Sequence, residues 1–155
     1  MPAKQGDLAL LNDALATELL QSRNAARLAY NWLDGTPRVV PIWFHWTGEE
    51  FVLASPERAP KLKALRSNPR VALTIDDDAS WPYRVLLVRG YATVDVQNCL
   101  PNEFVTAAHR YLGAEGGEDF VKGYASAISR MGRIAIRPDW VGLLDFQTRL
   151  PSAVS

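Results

Sequence analysis

Asp34-Gly35-Thr36-Pro37-Arg38-Val39-Val40-Pro41-Ile42-Trp43-Phe44-His45-Trp46 reads as a turn that runs directly into a strand. Gly35 can take positive φ, Pro37 fixes its own φ, and the β-branched and aromatic residues that follow favour extended backbone. Working outward, Ala25 through Leu28, Tyr30 and Trp32 forms the strand before the turn, and Arg38 to Trp46 the strand after it. Thr47-Gly48-Glu49-Glu50 is a second turn and Phe51 to Ser55 a third short strand, so the three together predict an antiparallel meander.

The flanks agree with a β-rich domain carrying helices at its periphery. Upstream, Leu8, Leu11, Leu15 and Leu19 share one face behind a cap at Asp7, which predicts an amphipathic helix over residues 7–21. Downstream, Pro60 suits a first helical position and Asn68-Pro69 ends the helix 60–67, because the residue before proline avoids helical backbone. Val71 to Ile75 and Arg84 to Asp95 read as strands around the turn Asp76-Asp77-Asp78, with Gly90 marking a bulge. Two helices follow, 102–112 and 118–131, the second with Phe120, Tyr124 and Ile128 in one row. Arg133 to Arg137 alternates as a last strand and continues past Pro138 to Leu144. Six strands and peripheral helices make an α+β, mainly β, domain whose antiparallel sheet forms a small barrel. The domain is expected to span 1–155, with the barrel over about 25–146.

Composition sets limits on function. With 17 basic against 17 acidic residues the chain lacks the cationic excess that a general nucleic-acid or membrane-surface binder needs. The single Cys99 excludes an internal disulfide framework and a multi-thiolate zinc site. The N-terminus does not have the charged-then-apolar order of a signal peptide, and no apolar run approaches the ~18 residues of a membrane span, so a cytoplasmic setting is expected. Neither a P-loop nor a Gly-x-Gly-x-x-Gly or Gly-x-Ser-x-Gly motif occurs.

The clearest candidate chemistry lies between Glu57 and Arg70, where Arg58, Lys61, Lys63, Arg66 and Arg70 face a single acid. Lys61 falls in the first turn of the short helix, where free N–H groups and the helix dipole already favour an anion. With the Ser55 hydroxyl and Arg58 it would form a phosphate clamp; the plainer reading is a solvated basic helix face. The strand Pro41-Ile42-Trp43-Phe44-His45-Trp46 carries aromatics on both faces, with Ile42, Phe44 and Trp46 on one and Trp43 and His45 on the other. One set would fill a core, and the other would line a planar ligand or a partner subunit, or simply pack. Trp81 and Tyr83, at the mouth of the strand from Arg84, fit loop packing and ligand contact equally well. Two unspaced histidines, His45 and His109, give no metal site, and Asp76 to Asp78 reads as an Asx turn.

These residues resemble the split β-barrel flavoproteins related to pyridoxamine 5′-phosphate oxidase, in particular the branch of deazaflavin-dependent (coenzyme F-420) or FMN-dependent oxidoreductases. The resemblance runs from about Ala25 to Phe146. It rests on the ordered series Asp34 to Phe44, Phe51 to Ser55, and Lys61-x-x-x-Leu65-Arg66-x-Asn68-Pro69-Arg70-Val71-Ala72-Leu73, followed by Arg89-Gly90-Tyr91-Ala92 and Arg133 to Pro138. It implies a six-stranded antiparallel split barrel, a homodimer with the cofactor at the subunit interface, and FMN or F-420 as that cofactor. Lys61, eight residues before Pro69, then matches the phosphate-binding lysine, and Arg38 a second phosphate-side arginine. The neighbouring arginine of the oxidase pattern is Pro60 here, with Arg58 as its substitute. Backbone groups of Val40, Pro41 and Ile42 would edge the isoalloxazine ring, with Trp81 and Tyr83 approaching from the neighbouring segment or subunit. Trp43 stands where pyridoxamine phosphate oxidases carry a substrate-phosphate lysine, so the resemblance points to a planar or apolar small-molecule substrate instead of a vitamin B6 phosphate. A non-catalytic carrier or sensor of flavin, F-420 or haem on the same fold is the alternative.

Overall fold

The computed structural model describes residues 3–151. The ends of the expected domain, 1–2 and 152–155, lie outside the described residues. Strand β1 (Ala26–Asn31) turns at Gly35, whose φ of 84° matches the positive-φ expectation, into β2 (Pro37–Ile42). There the first expectation is corrected. The strand expected over Arg38 to Trp46 breaks at Trp43-Phe44, and a separate two-residue strand β3 (His45–Trp46) follows, paired with β4 (Phe51–Pro56). Phe44 leaves the ladder because its side chain plugs the core, fully buried with its ring 6.1 Å from that of Phe51.

Helix α1 (Ala14–Leu20) and the preceding 3-10 turn Leu8–Asn12 replace the single helix expected over 7–21. Asp13 divides them. Its backbone is extended and its carboxylate accepts the Leu15 N–H at 2.9 Å, while Asp7 caps the turn through Ala9 N–H. The remaining elements are α2 (Pro60–Ser67), β5 (Arg70–Asp77), β6 (Arg84–Gln97), α3 (Asn102–Ala127) and β7 (Met131–Leu144). α3 contains a reversal at Gly113, φ 82°, and the Phe104 and Tyr124 rings come within 5.3 Å, so arms 102–112 and 114–127 fold back as a helical hairpin. Two helices were expected; the second starts directly after Gly113 and ends at Ala127, before the predicted 131.

The sheet is a curled antiparallel half-barrel in the order β2-β1-β5-β6-β7-β4-β3, with seven strands among the described residues where six were expected. The extra strand comes from the break at Trp43-Phe44. The same break corrects the meander, since β2 lies at one edge of the sheet and β3–β4 at the other. The long β6–β7 pair holds the middle, with the predicted bulge between Arg89 and Gly90. A Cβ on Gly90 would sit 2.2 Å from the Arg137 carbonyl oxygen, so only glycine fits this close approach. Leu28, Leu73, Ile75, Leu86, Ile134 and Leu143 line the concave face, and α1 and α2 cover it with Leu19, Leu20, Leu62 and Leu65.

Candidate functional site

β4 delivers Ser55 to the start of α2. Ser55 pairs across the ladder with Gly132, and the lack of a side chain there matters because a Cβ would meet Leu62 Cδ1 at 2.5 Å. Leu62 can therefore seat α2 directly on β7. Ala59 is extended and Pro60 opens the helix, as expected, without a side-chain cap to occupy the first-turn N–H groups. Lys61 reaches back from that turn, and its Nζ donates to Ser55 Oγ at 3.0 Å. Ser55 is the buried polar side chain of this region, 3% exposed, and Lys61 is half-buried. Burial holds the Lys61 ammonium below the usual lysine pKa. No carboxylate pairs with Lys61 among the described residues. A half-buried cation, a fixed hydroxyl and the first turn of a helix, where Leu62 N–H already bonds Ala59 O but no side chain caps the end, suit one phosphate group.

Arg58 makes no hydrogen bond with Lys61 or Ser55 among the described residues. It is exposed and lines a separate cleft of about 390 Å³ with Pro56, Ala127 and Arg130, whose guanidinium pairs with Glu57 at 2.5 Å. Arg38 is also exposed, its guanidinium 5.3 Å over the Trp32 ring. Its strand is more informative. Trp32 N–H donates to Thr36 O at 2.8 Å, and antiparallel pairs alternate between hydrogen-bonded and open, so the bonded pairs run Tyr30·Arg38, Leu28·Val40 and Ala26·Ile42. Val40 and Ile42 thus direct their backbone groups to β1 and pack their side chains on the core. Pro37, Val39 and Pro41 present theirs to the open edge. Two of those three have no N–H, which discourages another strand from adding on while leaving carbonyl groups available.

Trp43 lies under the α3 hairpin, stacked on Tyr111 at 4.9 Å and 9°, with Phe120 at 5.1 Å and Phe104 at 6.2 Å. Trp81 and Tyr83 are together on the β5–β6 loop, 5.3 Å apart, 61% and 42% exposed. The turn expected at Asp76 to Asp78 is corrected: Asp76 and Asp77 end β5, where they pair with Arg27 and Arg84, and the Asx turn starts at Asp77, which accepts Ala79 N–H at 3.1 Å. No group of three or more His, Cys, Asp or Glu side chains suited to a metal occurs among the described residues. The structure thus joins Ser55 with Lys61 and Trp81 with Tyr83, and packs Trp43 against the α3 hairpin. Sequence reasoning missed Arg110, a half-buried guanidinium that the helical pattern does not distinguish from a surface arginine.

Residues 13–145 match the family described as pyridoxamine 5′-phosphate oxidase. The chain belongs to the pyridoxamine 5′-phosphate oxidase family. A search of curated proteins returns no match. Solved structures similar to this member of the pyridoxamine 5′-phosphate oxidase family include an F420 reductase, 27% identical with a TM-score of 0.62, covering 81% of this chain and 94% of that one. A conserved hypothetical protein from Mycobacterium tuberculosis is 18% identical with a TM-score of 0.69 over 100% of this chain and 99% of that one. A heme storage protein from Vibrio cholerae is 19% identical with a TM-score of 0.61 over 83% and 90%. The last two share the fold. No helix among the described residues is long and apolar enough to cross a membrane.

Proposed function

We propose that this chain is an oxidoreductase that binds a phosphorylated flavin-type cofactor, FMN or F-420, and passes hydride between it and a small planar or apolar organic substrate. The carrying observation is the Lys61–Ser55 pair, a half-buried cation without a carboxylate partner at a helix N-terminus. The similarity to an F420 reductase over 81% of the chain supports the same reading. When bound, the cofactor supplies the hydride chemistry at N5 of a flavin or C5 of a deazaflavin. The protein's own part is to hold and shield it. Lys61 and Ser55 take the phosphate, Arg38 strengthens the positive field at the head of β2, and the outward carbonyl groups of β2 meet the ring edge.

A second copy of the chain would complete the cleft. The outer face of the half-barrel carries Ala29, Ala72, Val39 and Tyr91, with Val39 66% and Tyr91 49% exposed, and this broad, partly apolar surface suits a homodimer contact. Trp81 and Tyr83, exposed within one chain, would then close over the partner's cofactor. Vitamin B6 oxidation is disfavoured by Trp43, which fills with a stacked indole the position where the family resemblance places a substrate-phosphate lysine.

The test is turnover. Purified protein loaded with FMN or F-420 is reduced and mixed with a panel of enones and quinones, and reoxidation is followed by absorbance. Substrate-dependent reoxidation above the free cofactor supports the enzyme. Tight binding without acceleration for any acceptor points to a carrier or sensor instead.

A further inference from the structure

Five basic side chains are half-buried among the described residues: Lys61, Arg84, Arg110, Arg133 and Arg149. Arg84 pairs with Glu18 and Asp77, Arg133 with Glu103 at 2.6 Å, and Arg149 with Asp13. Lys61 and Arg110 have no carboxylate partner among the described residues. Lys61 marks the phosphate site proposed above; Arg110 lies in a different place. It projects from the first arm of α3 into a cleft of about 470 Å³ between α1, β3 and α3, a size typical of small-ligand pockets. We propose that this cleft is a second binding site, for a small carboxylate carrying an apolar or aromatic body.

Arg110 is held rigidly. Its Nε donates to Ser22 O at 3.0 Å and one Nη to Phe44 O, and the guanidinium lies 4.7 Å over the Phe44 ring. Two of its five N–H groups are thereby engaged, which leaves the other edge of the planar fork free for the two oxygens of a carboxylate. A partly desolvated guanidinium without an anion is costly, and a bound carboxylate removes that cost. His45 lines the same cleft, and its imidazole ring makes no hydrogen bond to the protein among the described residues. Burial, then Arg110, lowers its pKa against the opposing pull of Glu103, so at neutral pH its uncharged ring offers one donor and one acceptor. Leu11, Leu20 and Trp46 supply apolar wall for the body of the ligand, and Asn12 and Gln21 supply amides at the rim. The inference is independent of the flavin reading, because none of these residues belongs to the Ser55–Lys61 site.

The probes are benzoate and its uncharged counterpart benzamide, titrated into the ¹⁵N-labelled protein and followed by amide chemical shifts. Benzoate is expected to move Thr17, Gln21, His45, Thr106 and Arg110 together, with benzamide at least tenfold weaker. Arg110→Gln should weaken benzoate tenfold or more. Because Arg110 also anchors two carbonyls, Thr17→Trp, placed at an exposed position on the rim, serves as a second variant that closes the cleft and leaves Arg110 in place. Lys61→Ala should leave benzoate binding unchanged. No benzoate binding, equal binding of benzamide, shifts centred outside the cleft, or wild-type affinity in both cleft variants would overturn the proposal.

Discussion

Lys61 Nζ donates to Ser55 Oγ at 3.0 Å across the junction of β4 and α2, joining residues six apart at the point where the strand ends and the helix begins. The hydroxyl fixes the ammonium where an incoming phosphate would meet both. Ser55→Ala removes that acceptor from a half-buried cation and should destabilise the protein by about 1–2 kcal/mol, the low end for a hydrogen bond to a charged group because Lys61 keeps part of its hydration, measured by urea unfolding.

Arg58 is the informative contrast. The sequence places it beside Ser55 and Lys61, but its side chain is exposed and lines a cleft with Pro56 and Arg130. Arg58→Ala should change cofactor affinity by no more than about twofold, because a screened surface charge contributes little. A tenfold loss in a fluorescence titration would return Arg58 to the clamp.

The Lys61 shift gives cofactor binding a pH signature. Burial lowers the ammonium pKa from 10.5, so the charged form is lost at lower pH than in an ordinary lysine. A phosphate needs that charge. Affinity should be full well below the lowered pKa and should fall as pH rises through it, with protons taken up on binding in that window. Lys61→Arg, which stays charged, should flatten the profile. Calorimetry in two buffers of different ionisation enthalpy detects the proton uptake.

Trp43 is predicted to be structural. Trp43→Ala leaves a hole among Tyr111, Phe104 and Phe120 and should cost roughly 2–4 kcal/mol, somewhat less than a fully buried aromatic. Gly90→Ala should cost roughly 1–3 kcal/mol or more by pushing the bulge off the Arg137 carbonyl, read as a fall in the thermal midpoint.

Much of this was legible in the sequence where local chemistry dominates. The Gly35 turn, the Pro60 helix start, the Asn68-Pro69 stop and the Gly90 bulge each follow from what one residue type permits its own backbone. The errors fell where distant packing decides. The alternation from Arg38 to Trp46 reads as one strand because both faces carry large residues, but Phe44 is drawn into the core and the chain crosses to the opposite edge of the sheet. Likewise Asp13 caps a new helix inside what periodicity presents as one. At the site, Lys61 and Ser55 were readable because strand end and helix start are adjacent in sequence. Arg110 was not, since its partners Ser22 and Phe44 are remote along the chain.

The central claim is that Lys61 and Ser55 hold the phosphate of a flavin-type cofactor. It is tested most directly by calorimetric titration of the cofactor-free wild type and Lys61→Ala with FMN and F-420 side by side. The wild type should bind at least one of the two, and Lys61→Ala should bind it roughly tenfold to a hundredfold more weakly, matching about 1.5–3 kcal/mol for a hydrogen bond to a charged group. Binding of neither cofactor by the wild type, or equal affinity in the folded Lys61→Ala protein, would contradict it.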